Sequence, residues 1–190
     1  STGTHRLMST QAVFENLELK HKVFGTVSGL VRDDCVLATN TSAIPIEKVA
    51  AGIDKPERVL GMHYFSPVPS MQLLEIIPHA GTNEESMSKA FSVGIKQGKT
   101  CIEVADVPGF YVNRALAPMM AEVAPLFEDG VTPKQLDEAI LDLGMPVGPI
   151  TLLDEVGADV GLHVQHTMLA DSTMGSRMAG AKPEMLQHLV

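Results

Sequence analysis

Gly61-Met62-His63-Tyr64-Phe65-Ser66-Pro67-Val68-Pro69-Ser70-Met71-Gln72-Leu73-Leu74-Glu75 ends one apolar run on a histidine, breaks the backbone at two prolines and returns through a second apolar run holding a single acid. The first run, Arg58 to Phe65, predicts a strand. Proline cannot donate to a sheet ladder, so Pro67 and Pro69 mark a connection that leaves the sheet. The second run, Met71 to Ile77, reads as buried except for Glu75. A carboxylate among Leu73, Leu74, Ile76 and Ile77 costs free energy unless something pairs with it. An imidazole is such a partner, and a carboxylate-held imidazole is the standard general base near neutral pH. Spacing alone leaves the alternative open: a lone histidine beside apolar residues is more often a satisfied core or surface group, and a glutamate in an alternating strand can face solvent.

Outward from this stretch, the composition is that of an ordinary globular protein, with 45% hydrophobic and 19% charged residues over 190. A chain of this length buries one good core or two small ones. No apolar run approaches the roughly 20 residues that cross a bilayer. The formal net charge of −9 argues against a nucleic-acid surface, which needs a basic footprint. Cys35 and Cys101 are isolated, without metal-ligand spacing, and read as small hydrophobes; no metal site is expected. The first residues hold no basic stretch leading into an apolar one, so no secretory signal is expected there.

Ser1 to about Gln11 is polar and unpatterned and reads as a tag or disordered tail. Leu17 to Val31 has Leu19, Val23, Phe24, Val27 and Leu30 near helical spacing. Cys35 to Asn40 predicts a short strand that ends in the polar Asn40-Thr41-Ser42, where an open α/β sheet places ligand groups. Ile46 to Ala51 and Glu84 to Gly98 predict helices, and Thr100 to Ala105 a strand. Asp106-Val107-Pro108-Gly109-Phe110 is the best domain boundary. Beyond it the apolar positions recur at three and four from Tyr111 to about Gly130. Thr132-Pro133 caps a helix over Thr132 to Leu143, Ile150 to about Leu169 predicts another, and Pro183 to Val190 a last short one. The fold class is therefore α/β followed by all-α: a partial, Rossmann-like, mostly parallel sheet over 12–107, then a helical domain over 108–190.

The opening stretch resembles the signature of 3-hydroxyacyl-CoA dehydrogenases: histidine, two aromatics, Asn or Ser, proline, then a short loop into Met-x-Leu-x-Glu. Asn40-Thr41-Ser42 after a strand and Pro108-Gly109-Phe110-Tyr111-Val112-Asn113-Arg114 resemble the family in the same order. The chain is most similar to the dehydrogenase part of the multifunctional α subunits of fatty-acid β-oxidation, of the mitochondrial trifunctional type, from about Ala12 onward. The resemblance implies NAD-dependent oxidation of (S)-3-hydroxyacyl-CoA to 3-ketoacyl-CoA. His63 is then the base and Glu75 its orienting partner. Ser42 and Asn113 would contact the substrate oxygen, while Glu15, Lys20, Asn40, Ser42 and Ser66 would lie on the cofactor side. Ser66, a shorter hydrogen-bonding group, stands where relatives often carry asparagine. Arg114 is expected to serve packing or an ion pair. The partners implied are an acyl-CoA substrate, a second copy of the chain bound through the helical domain or an exposed sheet edge, and a thiolase β subunit in the parent complex. The compartment implied is the mitochondrial matrix.

One family feature is missing. No Gly-x-Gly-x-x-Gly occurs in the 190 residues, so the pyrophosphate lacks its glycine loop and helix N-terminus. The expectation is a fragment that binds NAD weakly or not at all by itself. Two rivals stand beside this reading. One is a related hydroxy-acid dehydrogenase of the same plan, whose relatives use a lysine base; the other is a non-catalytic dimerisation or scaffold module.

Overall fold

Val36–Thr39 is buried along its whole length, as only a strand flanked on both faces can be. It is the second of five strands in a sheet ordered as in the sequence: β1 (Met8–Gln11), β2 (Val36–Thr39), β3 (Val59–Tyr64), β4 (Leu73–Pro78) and β5 (Thr100–Glu103). β1, β2 and β3 run parallel, β4 turns antiparallel to β3, and β5 is parallel to β4. The computed structural model describes residues 7–178 and 181. Its chain divides into two units, Ser1–Tyr111 and Val112–Val190.

The expected tail over residues 1–11 is corrected at Met8–Gln11, which pairs residue for residue with Val36–Thr39. The stretch is too polar for a period-two signal, yet its polar groups are used. The Gln11 carboxamide donates to the Thr39 hydroxyl and accepts from the Val13 N–H at 3.1 Å. A strand held by its ladder and one buried amide leaves almost no hydropathy trace.

Successive residues of each strand feed opposite layers. Leu37, Val59 and Ile77 pack with Phe24, Ile46, Val49 and Phe110 on one face. Val36, Ala38, Leu60, Met62, Leu74 and Ile76 pack with Ala90 on the other. The first layer comes from α1 (Leu17–Ser28) and α2 (Ile46–Ala50), and the second from α3 (Glu84–Lys96). Gly61 lies on the α2 face of β3, where a Cβ would stand 2.8 Å from both the Ile46 and Ile77 Cδ1 atoms, so any larger residue there would have to push both isoleucine side chains aside. α2 starts at Pro45, which offers no side-chain cap. Asp106, after β5, substitutes: its carboxylate accepts from the N–H groups of Ile46 (2.6 Å) and Glu47 (2.8 Å). Burial pushes the Asp106 carboxyl above its ordinary range against the pull of those two N–H groups.

The second unit holds α4 (Val112–Ala121), α5 (Val123–Glu128), α6 (Pro133–Asp142), α7 (Pro149–Val156) and α8 (Ala158–Leu169). Two expected helices are each divided. Pro125 cannot donate to the carbonyl of Ala121, so the Tyr111–Gly130 pattern breaks between α4 and α5. The Ile150–Leu169 pattern breaks at Gly157, whose φ of 98° admits little but glycine. α6 carries the expected Thr132 cap as a full capping box with Gln135. Asp137 then reaches the start of α7, accepting from the N–H groups of Ile150 and Thr151 and from the Thr151 hydroxyl. Burial raises that carboxyl, but the hydroxyl and the two N–H groups outweigh it and hold it below its usual range. Ala117, Ala121, Met168, Met174 and Met178 form the unit's buried centre. The expected helix over Pro183–Val190 falls outside the described residues.

Candidate active site

β1, β2 and β3 deliver their carboxyl ends to one edge of the sheet, the edge where open α/β sheets collect ligands. Near the end of β3 sits His63, directly opposite Glu75 on the antiparallel β4. Directly opposed residues share a face with their Cβ atoms close together, so the register itself forces the meeting. The Nδ1–H of His63 donates to Glu75 Oε2 at 2.7 Å. Both side chains are buried, Glu75 completely. With Nδ1 committed to the carboxylate, the neutral ring presents Nε2 as its acceptor. A carboxylate in that position fixes the tautomer and favours the positive charge formed when Nε2 takes a proton.

A second contact comes from the Pro108-Gly109-Phe110 turn. Gly109 (φ 76°) and Phe110 (φ 49°) both occupy the left-handed region. For a bulky residue this is a true outlier, costing about 1–3 kcal/mol. The outcome is two contacts on the pair. The Phe110 ring lies 5.7 Å from the imidazole between centroids, and the Tyr111 N–H donates to Glu75 Oε1 at 3.1 Å. The Phe65 ring stands 4.6 Å from the imidazole, tilted by 54°. The base thus has two aromatic rings and a buried acid as neighbours.

Beyond β1 and β2 a second carboxylate, Glu15, organises the loops. Its Oε2 accepts from the Thr41 hydroxyl at 2.9 Å and its Oε1 from the Ser42 N–H at 2.6 Å. Lys20, with no exposed surface, brings Nζ within 3.4 Å of Oε2 and donates to the Val13 carbonyl at 3.2 Å. Burial pulls the Lys20 ammonium below its ordinary value, and Glu15 partly restores it. Between the two centres, Asn40 Oδ1 accepts from the Tyr64 N–H at 2.9 Å. Ser66 is exposed in the loop after β3. That loop is gripped from the α3–β5 turn: the Lys99 ammonium donates to the carbonyls of Val68 and Met71, and the Tyr64 hydroxyl donates to Gln97 Oε1 at 2.8 Å.

The structure therefore joins His63 to Glu75, and joins Glu15, Lys20 and Ser42 to one another. Asn113 and Arg114 open α4 in the second unit. There Arg114 pairs with Asp171 at 3.5 Å and donates to the Thr173 hydroxyl at 2.7 Å. Sequence reasoning missed Thr41, Phe110, the Tyr111 N–H and Lys99. Only Phe110 carries a signal, since it follows a Pro-Gly pair, which by itself reads as a boundary. Among the described residues no cluster of His, Cys, Asp and Glu could hold a metal ion, and no helix is long and apolar enough to cross a membrane.

Comparison with known proteins places both parts of the chain in one family. Residues 5–107 match the family model of the 3-hydroxyacyl-CoA dehydrogenase NAD binding domain, and residues 109–190 match that of the C-terminal domain. The first match begins ahead of Ala12, so the resemblance reaches further toward the amino end than the motifs alone indicate. The chain is 46% identical over 170 residues to the fatty acid oxidation complex subunit alpha of Vibrio campbellii, covering 90% of this chain and 24% of that protein. The Idiomarina loihiensis subunit alpha is 45% identical over 180 residues, with 95% and 25% covered. The chain thus spans about a quarter of the length of these curated relatives. Among solved structures, FadB2 of M. tuberculosis superposes with a TM-score of 0.87 at 33% identity, covering 97% of this chain and 65% of that one. The (S)-3-hydroxybutyryl-CoA dehydrogenase PaaH1 of Ralstonia eutropha gives 0.82 at 33%, covering 96% and 64%.

Proposed function

The chain belongs to the 3-hydroxyacyl-CoA dehydrogenase family, and on that premise we propose that it carries the proton-accepting half of a dehydrogenase site that oxidises (S)-3-hydroxyacyl-CoA to 3-ketoacyl-CoA. What carries the reading is the buried 2.7 Å bond between His63 Nδ1 and Glu75 Oε2. It leaves Nε2 to receive the proton of the C3 hydroxyl. As the C3 hydrogen departs as hydride, the hydroxyl proton passes to Nε2, and Glu75 stabilises the resulting imidazolium. Ser42, presented by Glu15 and Thr41, and Asn113, at the start of α4, are the groups assigned to the substrate oxygen. Both can hydrogen-bond the alcohol before the step and the ketone after it without adding charge.

NAD supplies the hydride acceptor in this proposal. The donor set at the sheet edge suits its nicotinamide-ribose end: Glu15 retains lone pairs, and Ser42 and Ser66 bring hydroxyls to the ends of parallel strands. These residues offer no phosphate cradle, so NAD binding by the 190 residues alone is proposed to be weak. A thiolase β subunit as partner, a homodimer and a mitochondrial matrix location are parts of the same proposal carried by the resemblance alone; the relatives above are bacterial.

The decisive experiment follows NADH consumption with acetoacetyl-CoA in the full-length native protein. His63→Ala is expected to lower kcat by about 10²–10⁴ with the fold intact by circular dichroism. A variant turning over at the wild-type rate would remove the base assignment. A calorimetric titration of the 190-residue chain with NAD tests the weak-binding part, and micromolar affinity would reject it.

A further inference from the structure

We propose that Asn40 is a positioning residue for His63, acting through the backbone of β3 rather than as a ligand of the cofactor; the inference rests on the reading that His63 accepts the substrate proton. The parallel ladder of β2 and β3 ends where Thr39 stands opposite Gly61. Past that rung the Asn40 N–H still serves β1, bonding to the Gln11 carbonyl at 2.9 Å. The amide of Tyr64, the last residue of β3, points toward β2 and finds the Asn40 side chain there. The carboxamide oxygen supplies the rung that the main chain no longer provides.

This rung has a consequence for the chemistry. His63 precedes Tyr64 and Phe65 follows it, so one backbone amide governs the imidazole and the ring that lies 4.6 Å from it. Glu75 fixes the tilt and tautomer of the imidazole from the β4 side, whereas Asn40 fixes how far β3 stands from β2. On its other side, Asn40 runs directly into Thr41 and Ser42, both tied to Glu15. Asn40 is therefore the fastening between the proton acceptor and the loop that presents Ser42, two groups assigned to one substrate oxygen. Removing the acceptor leaves a half-buried N–H unpaired and frees the end of β3. An ångström of misplacement at a reacting group costs on the order of 10²-fold in rate.

A positioning role and a ligand role predict opposite kinetic splits. In the full-length native protein, Asn40→Ala is expected to lower kcat about 10- to 100-fold while KM for NAD stays within about twofold. Hydrogen exchange at the Tyr64 amide is expected to quicken at least about tenfold, as one lost bond of about 1.4 kcal/mol would give. Asn40→Asp keeps the acceptor oxygen and is expected to restore slow Tyr64 exchange and most of kcat. Should Asn40→Ala fail to fold, Asn40→Gln carries the same amide one methylene farther out; a fall in kcat with KM for NAD unchanged there supports the positioning role, and a raised KM with kcat unchanged overturns it. The proposal is overturned if KM for NAD rises with kcat unchanged, or if Tyr64 exchange stays at the wild-type rate. Failure of the dehydrogenase reading shows separately, as wild-type protein without turnover. The Tyr64 exchange and the His63 ring signals in NMR would then still report whether Asn40 sets the end of β3.

Discussion

Glu75 and Glu15 are acids at the same edge of one sheet, each held by donors from distant parts of the chain, yet they are built for different work. Glu75 is wholly buried, and across from it stands the His63 imidazole, whose Nε2 can accept a proton while Nδ1–H holds the carboxylate. Glu15, with 17% of its side chain exposed, faces a hydroxyl, a backbone N–H and an ammonium. An acid opposite the group that takes the substrate proton in the proposed step becomes part of proton transfer. One opposite donors that keep their protons becomes a frame. The difference lies in the partners: Glu75 stands in β4 opposite His63, while Glu15, in the loop between β1 and α1, meets the Thr41 hydroxyl, the Ser42 N–H and Lys20.

The largest effect expected from breaking this contrast is at Glu75. Glu75→Ala leaves a buried imidazole N–H and the Tyr111 N–H without their acceptor, and removing one partner of a buried pair costs about 3–5 kcal/mol. Urea unfolding of the chain should show that loss, while a fall in stability below about 1 kcal/mol would mean that water replaces the carboxylate. Glu75→Gln keeps an oxygen for Nδ1 but not the charge. It should spare most of the stability while lowering kcat of the full-length protein by about 10²-fold or more. At the framing acid the effect is smaller. Thr41→Val removes a donor to Glu15 and the acceptor of the Ile44 N–H, so a loss of about 1–3 kcal/mol is expected. Stability unchanged by Thr41→Val would show that the Ser42 N–H and Lys20 hold Glu15 unaided.

The two acids also differ in how legible they are in the sequence. Glu75 announces itself, because a charged residue inside Leu73 to Ile77 demands a partner, and a strand return across two prolines places His63 opposite it. Nothing local announces the grip of Glu15 on Thr41 and Ser42. The contact spans 26 positions and rests on the parallel crossover, which leaves no periodic mark in either segment. β1 is illegible for a related reason: its stability lies in the ladder and the Gln11–Thr39 bond, and neither shows in hydropathy. Strands and helices with apolar faces or caps can be read to within a few residues, Thr132 with Gln135 being the clearest. The breaks are lost where one residue overrides a continuous apolar pattern, as Pro125 and Gly157 do. The left-handed backbone of Phe110 leaves no periodic mark, since it follows from contacts far along the chain: the Tyr111 N–H on Glu75 and the Phe110 ring beside His63.

The finest test of the contrast is Lys20. Its side chain is fully buried, and burial draws its pKa below the ordinary 10.5 despite the opposing attraction of Glu15. A group whose folded pKa is depressed contributes stability above its unfolded value, and that contribution is lost as pH falls through the folded value. Near neutral pH the native state therefore carries the cost of a buried ammonium that the unfolded chain does not. Met is a straight chain of similar length, and Glu15 would keep the Thr41 hydroxyl and the Ser42 N–H. Lys20→Met is accordingly expected to match or exceed wild-type stability near neutral pH, by no more than about 1–4 kcal/mol. The difference should shrink as pH rises toward 10.5, where the wild-type ammonium loses its proton. Urea midpoints of both proteins across that alkaline range read the slope directly. A Lys20→Met variant that is less stable near neutral pH, by an amount that does not change toward alkaline pH, would mean that the ammonium is a net stabiliser. Glu15 with Lys20 would then be a buried ion pair of the same kind as Glu75 with His63, and the distinction between frame and proton carrier would have to rest on catalysis alone.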